Sequence, residues 1–184
     1  MGEWNDPKTI YTIIHVFGAV LGAGGAYLSD AMFFHSIKDK VISSTEIIFL
    51  KLGSVFVWVG LGVLIISGVL LFSTDPAGYM SSSKFLIKMF VVLVILVNGI
   101  FFHRVHLPRI GRHANHHYPS SDEFIRNRKF LAASGAVSMT SWTTAIILGS
   151  LPSIPLSFAV ALTGYLVLEI TVVVFALVLA RKLL

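Results

Sequence analysis

The chain contains no cysteine. Disulfides, thiolate metal sites, iron–sulfur clusters and thiol redox chemistry are therefore excluded. Charge is scarce as well: 12% of the 184 residues are Asp, Glu, Lys or Arg, against about 25% in soluble domains. No G-x-S-x-G elbow occurs, which removes a common signature of nucleophilic hydrolases. No phosphate-cradling loop or dinucleotide fingerprint occurs either, because the run Gly22-Ala23-Gly24-Gly25 lies inside an apolar block. What is abundant is apolar surface: 55% of residues are hydrophobic and the mean hydropathy is +0.84. The net charge of +5 and pI near 9.6 report orientation in a membrane before they report nucleic acid, which is not an expected partner.

The apolar residues gather into five blocks, Ile10 to Phe34, Ile47 to Phe72, Phe85 to Phe102, Phe130 to Gly149 and Leu156 to Ala180. Each meets the roughly 20 residues needed to cross a ~30 Å hydrocarbon core, so an all-α integral membrane protein with five transmembrane helices in a single domain is expected. A four-helix-bundle-like core with one extra helix suits that number. The short polar head before Ile10 lacks a basic leader and a small-residue cleavage site, so the first block is expected to remain as a helix. The loops after blocks one and three and the C-terminus carry Lys38, Lys40, Arg104, Arg109, Arg112, Arg126, Arg128, Lys129, Arg181 and Lys182, whereas the other side carries Lys8 and Lys84. The positive-inside rule then puts the N-terminus outside and the C-terminus in the cytoplasm, with residues 103–129 as the one extended polar loop.

Polar groups within the blocks are the candidates for function, because an ionisable residue in a membrane is a functional hypothesis by default. His15 lies near the outer end of the first block. At 100° per residue it shares a stripe with Gly18, Gly22, Gly25 and Ser29. Such a stripe admits either a flat ligand or a second backbone in small-xxx-small packing, and the same face offers a homodimer contact. Lys88 opens the third block at a comparable depth. It either snorkels to the headgroups or supplies a cation to a propionate, a phosphate or a proton path. Asn98 needs an interhelical hydrogen bond, for which the fourth block offers Ser134, Ser138, Thr140, Ser141, Thr143 and Thr144. Glu169, close to the centre of the fifth block, is the costliest residue to bury and is expected as a neutral acid donating one hydrogen bond, or as part of a proton or ion path with Asn98.

A second group gathers at the cytoplasmic ends of the blocks. Asp30 and His35 close the first, Glu46 opens the second, and His103 and His106 close the third at an i, i+3 spacing that places both imidazoles on one helix face. Two imidazoles with neighbouring carboxylates suit a transition metal ion: zinc, iron, nickel or copper(II). The His-rich run His113, His116 and His117 is either a metal tract or a solvated loop. His15 and His35 stand ~30 Å apart on one helix and belong to different sites.

The segments Ile14-His15-Val16-Phe17-Gly18-Ala19, Gly25-Ala26-Tyr27 and Phe33-Phe34-His35, with Lys84-Phe85-Leu86-Ile87-Lys88-Met89 and Asn98-Gly99, resemble a superfamily of small bacterial membrane proteins. It includes the HemJ-type protoporphyrinogen oxidases and the CopD-type copper-resistance membrane domains. The resemblance covers about the first 110 residues. It implies a bacterial inner-membrane location and a haem b in the outer half of the bundle, with His15 as an axial ligand, Gly25 matching a glycine of the pattern and Lys88 a lysine that opens the third helix; the stripe residues Gly18 and Gly22 are then expected against the macrocycle. The HemJ-type pattern has a second His near the position of Asn98 or Gly99, and this chain has none. A thioether from Met89 or Met139 is the alternative second ligand, and a five-coordinate iron is another. The resulting expectation is a haem-bearing redox or electron-transfer protein, a possible membrane oxidoreductase, with a redox partner or quinone. The alternatives are a transporter for a divalent metal such as copper, or for protons, built on the inner His and carboxylate groups, and an assembly subunit without chemistry of its own.

Overall fold

The fold was analysed in a computed structural model that describes residues 6–38, 42–112 and 121–183. The chain is helical throughout, with no strand among the described residues: α1 (Pro7–Lys38), α2 (Ser44–Thr74), the short α3 (Pro76–Ser81), α4 (Ser83–Phe101), α5 (Leu107–Arg112), α6 (Asp122–Ser150) and α7 (Phe158–Leu183). A π-helical turn, Phe102–His106, joins α4 to α5. Hydroxyl and carboxylate caps set the helix starts. Ser43 and Glu46 form a reciprocal capping box at α2, Asp75 accepts from the Gly78 amide at α3, and Ser82 and Ser121 accept the amides of Phe85 and Phe124.

Five segments are long and apolar enough to span a bilayer: Pro7–Phe33, Ser44–Thr74, Ser83–Arg112, Asp122–Ser150 and Phe158–Arg181. Large side chains such as Phe17, Ile66, Val69, Phe130, Ile170 and Phe175 point outward with more than half their surface exposed. Water would not tolerate so continuous an apolar surface, and lipid is the solvent it fits. The protein is therefore an all-α membrane protein.

Helices α1, α2, α4 and α6 enclose the core, and α7 lies outside them against α6 and α4. The α1–α2 pair is the most intimate. A Cβ built on Gly25 would sit 2.8 Å from the Gly53 carbonyl oxygen, and one on Gly60 2.7 Å from that of Gly18, so the two backbones touch directly. Lipid provides no hydrophobic force between helices, and close backbone contact supplies the dispersion energy that replaces it. A central core forms around Leu61, Ile87, Val91, Trp142 and Tyr165. A second forms around Ile42, Leu50, Ile110 and Phe124, at the end where α1 finishes and α2 and α6 begin. That end carries Arg104, Arg109, Arg112, Arg126 and Lys129 and is called the basic end below.

Two boundaries differ from the sequence reading. The expected loop 103–129 is largely helical: the third span continues through the π turn into α5, and the fourth span begins at Asp122 rather than Phe130. Polar residues hid this, because hydropathy marks where lipid ends and not where a helix ends. Arg112 pairs with Glu123 at 2.8 Å and Arg109 donates to the Asn127 side chain at 3.1 Å, tying α5 to the first turns of α6. His113, His116 and His117 lie outside the described residues.

Candidate functional site

At the end opposite the basic one, α1, α2, α3 and α4 surround a cavity of about 350 Å³. His15 comes from the third turn of α1, Leu64 and Gly68 from α2, Tyr79 and Met80 from α3, and Lys88 and Met89 from α4. Phe72, Tyr79 and Phe85 pack together above it, with Phe72 and Phe85 stacked at 5.6 Å, so the short α3 is fastened over the cavity by aromatic contact. Ile65, Val69, Met80 and Met89 are exposed, and the cavity therefore opens sideways toward lipid. No carboxylate lines it, and Lys88 makes no ion pair among the described residues. The site is an apolar chamber with two basic side chains, suited to an amphipathic anion.

The His15 ring hydrogen-bonds Ser67 on α2 and lies within reach of the Leu64 backbone, and the bonding of Ser67 favours one tautomer. The Ser67 hydroxyl lies 2.5 Å from the Val63 carbonyl oxygen of its own helix and donates to it. With its single proton spent, Ser67 Oγ accepts from His15 Nδ1, 2.9 Å away. His15 Nε2 is then left with its lone pair, the form in which imidazole binds a metal. Gly68 lies beside the ring, where a Cβ would make ordinary contact with His15 Cε1 at 3.5 Å. Sequence reasoning missed Ser67, although a hydroxyl within an apolar run was the available signal.

The structure brings His15, Lys88 and Met89 together but separates them from the other expected cofactor residues. Gly18 faces the α2 backbone, where a Cβ would meet Leu64 N at 2.9 Å, and Gly22 faces the Trp142 indole. Both glycines serve helix packing, which is a correction to their expected place against a macrocycle. Met139 lies exposed on α6, away from the cavity. Met80, on α3, is a thioether the sequence reading did not select.

At the basic end the expected metal cluster does not assemble. Among the described residues no three of His, Asp and Glu stand close enough to share an ion. Glu46 is taken up by the capping box, its carboxylate accepting from the Ser43 amide at 2.7 Å, and His35 is exposed on α1. The π turn separates His103 from His106, because its wider winding breaks the i, i+3 register of an α-helix. His103 Nδ1 meets Ser54 Oγ at 3.0 Å and its ring stands edge-on to Trp58. His106 is buried against Phe101 and Phe102 with no partner for Nε2. Ser54 and Ser67 of α2 thus bond one imidazole each, and the two lie ~20 Å apart along the helix.

Asn98 finds its partner on α6: its Nδ2 donates to the Ser134 carbonyl at 3.0 Å and its Oδ1 accepts from Ser134 Oγ at 2.9 Å. Glu169 does not join it. The Glu169 carboxyl oxygens are buried beside the Tyr165 hydroxyl, and the cavity that Asn98 lines with Ser134 does not include Glu169. One turn earlier on α7, the Tyr165 hydroxyl bonds Ser141 Oγ on α6 at 2.8 Å. Among the described residues Asn98 and Glu169 thus line no common cavity, and each has its own partner on α6 or α7.

The chain matches no protein-family model, no curated protein and no solved structure.

Proposed function

We propose that the protein binds a b-type haem in the cavity at His15 and serves as a membrane electron-transfer protein. The observation that carries this reading is the Ser67–His15 hydrogen bond, which leaves Nε2 unprotonated in a chamber bearing a cation and thioethers but no acid. These residues fit the group. His15 would bind the iron through Nε2, Met80 or Met89 would offer a thioether, and Lys88 would meet a propionate. When bound, haem supplies one-electron chemistry at its iron. The resemblance of the first part of the chain to HemJ-type proteins adds support from the sequence.

The protein's own residues do the remaining work. Ser67 orients the imidazole and raises its basicity through the Nδ1 hydrogen bond. Phe72, Tyr79 and Phe85 keep water from the chamber. The sideways opening suits a donor that travels in the bilayer, and a quinol is the class that fits. The test is an absorption spectrum of the detergent-purified protein, oxidised and dithionite-reduced, with metal analysis of the same sample. A Soret band that shifts on reduction is expected, and a colourless preparation that takes up no added hemin would sink the reading.

Lys88 offers a finer test. Lys88→Met keeps the apolar stem but removes the charge, and a charge-assisted hydrogen bond contributes about 1.5–3 kcal/mol. Hemin affinity should fall at least tenfold while the Soret position, set by the axial ligands, stays fixed. Titration of apo-protein with hemin reads both.

A further inference from the structure

A second set of polar groups, independent of the haem reading, lies inside the bundle nearer the basic end. Asp30 on α1 lines a cavity of about 40 Å³ together with Ser29, Ser54, Asn98, Ser134 and Ser138. It also lines an adjoining cavity of about 30 Å³ that runs past Phe102 and Gly135 to Arg128 in the second turn of α6. Ser29, Asp30, Phe102 and Gly135 are common to both, so Asp30 stands where the two meet. One water needs roughly 10–15 Å³ of such space, so each cavity has room for about two or three.

The polar atoms here are short of partners. Asp30 Oδ2 and Ser29 Oγ are buried without a hydrogen bond, and Ser29 is itself only 7% exposed. A buried carboxylate oxygen without a hydrogen bond, on a group without an ion pair, is costly, and water or a proton relieves it. No cation offsets the charge directly, since the ion pairs among the described residues are those of Arg109 and Arg112 with Glu123. The charged and titratable groups around Asp30 are few. Helix α6 contributes Arg128 at the far mouth, the π turn contributes His103 through its bond to Ser54, and α2 contributes the neutral Ser54 and Trp58. Gly135, whose Cβ would stand 3.7 Å from Asp30 Oδ1, leaves the approach from α6 open.

We propose that Asp30 is a proton-binding site wetted from the basic end through the cavity at Arg128. The carboxylate takes a proton from water on that side to become a neutral acid and returns it to the same water, with Asn98 and the serines holding the hydration shell. This assigns the protonatable role to Asp30 in place of the expected Asn98–Glu169 pair.

Infrared difference spectra of the full-length protein in nanodiscs, recorded as the pH is lowered, test the assignment. The expected result is a carboxylic-acid carbonyl band that grows reversibly, shifts in D2O within the mixing time, disappears in Asp30→Asn and survives Glu169→Gln. Asp30→Glu should keep the band and move its midpoint, and this variant decides the matter if Asp30→Asn does not fold. A band lost in Glu169→Gln but kept in Asp30→Asn would overturn the proposal, as would an Asp30→Glu midpoint equal to the parent's. Failure to exchange with D2O would identify a sealed structural acid. Displacement of the titration by sodium at constant ionic strength would identify a metal-cation site instead.

Discussion

His15→Ala is expected to yield a folded, colourless protein. The substitution removes the one imidazole in the outer cavity and leaves Ser67 still donating to Val63, so the α2 backbone keeps its hydrogen bonds. Lys88 and the apolar wall remain, yet on the haem reading proposed above the loss of the imidazole nitrogen would leave only thioether donors, which would hold haem weakly by themselves. The Soret absorbance per mole of protein should fall more than tenfold, with elution volume and helical circular dichroism unchanged. Ser67→Ala should be intermediate. It frees Nδ1 and lets the imidazole turn and change tautomer, and loss of an outer-shell partner typically costs 10–100-fold in metal affinity. A His15→Ala protein that keeps the full spectrum of the parent would place the haem elsewhere.

The second large effect is expected where the first two helices touch. Gly22→Ala would put a methyl group 2.9 Å from Trp142 Cζ2, and Gly60→Ala would put one 2.7 Å from the Gly18 carbonyl oxygen. Overpacking of this kind costs about 1–3 kcal/mol when a side chain can shift, and more when only backbone is available to move. Gly22→Ala should therefore be rescued in part by Trp142→Phe, which removes the outer ring atoms that the new methyl meets. Gly60→Ala should not be, because its obstacles belong to the α1 backbone. Thermal aggregation midpoints of the parent, the three single variants and the two double variants in one detergent give the coupling directly. Equal rescue of both variants would show that the clash is spread through the bundle and not set at these two points.

Much of the architecture was legible because lipid imposes a simple rule. Five apolar blocks long enough to span a bilayer need helices, and each observed span coincides with one block to within a few residues at its apolar ends, the third and fourth extending further into polar sequence. The glycine stripe on α1 was legible as a close-approach surface, and small-xxx-small packing is the use it serves. The helical extent of the 103–129 region was not, since α5 and the first turns of α6 are polar and held by Arg112–Glu123 and Arg109–Asn127 contacts between segments. Nor was the fate of His103 and His106. Their i, i+3 spacing places them together only on a regular α-helix, and the π turn removes that premise.

The sequence by itself determined the solvent, the number of spans, the absence of thiol chemistry and the short roll of ionisable residues that a membrane would have to accommodate. Hydropathy and composition are sums over residues, so they need no knowledge of neighbours. Only the tertiary structure decided which of those residues meet. Ser67 and His15 are 52 positions apart, Asn98 and Ser134 are 36 apart, and Asp30 reaches Ser54, Asn98 and Ser138 only across three helix interfaces. The rotation of each helix about its own axis selects these encounters. That rotation is set by where α1 and α2 can approach backbone to backbone and where Trp142 fills the space beside Gly22.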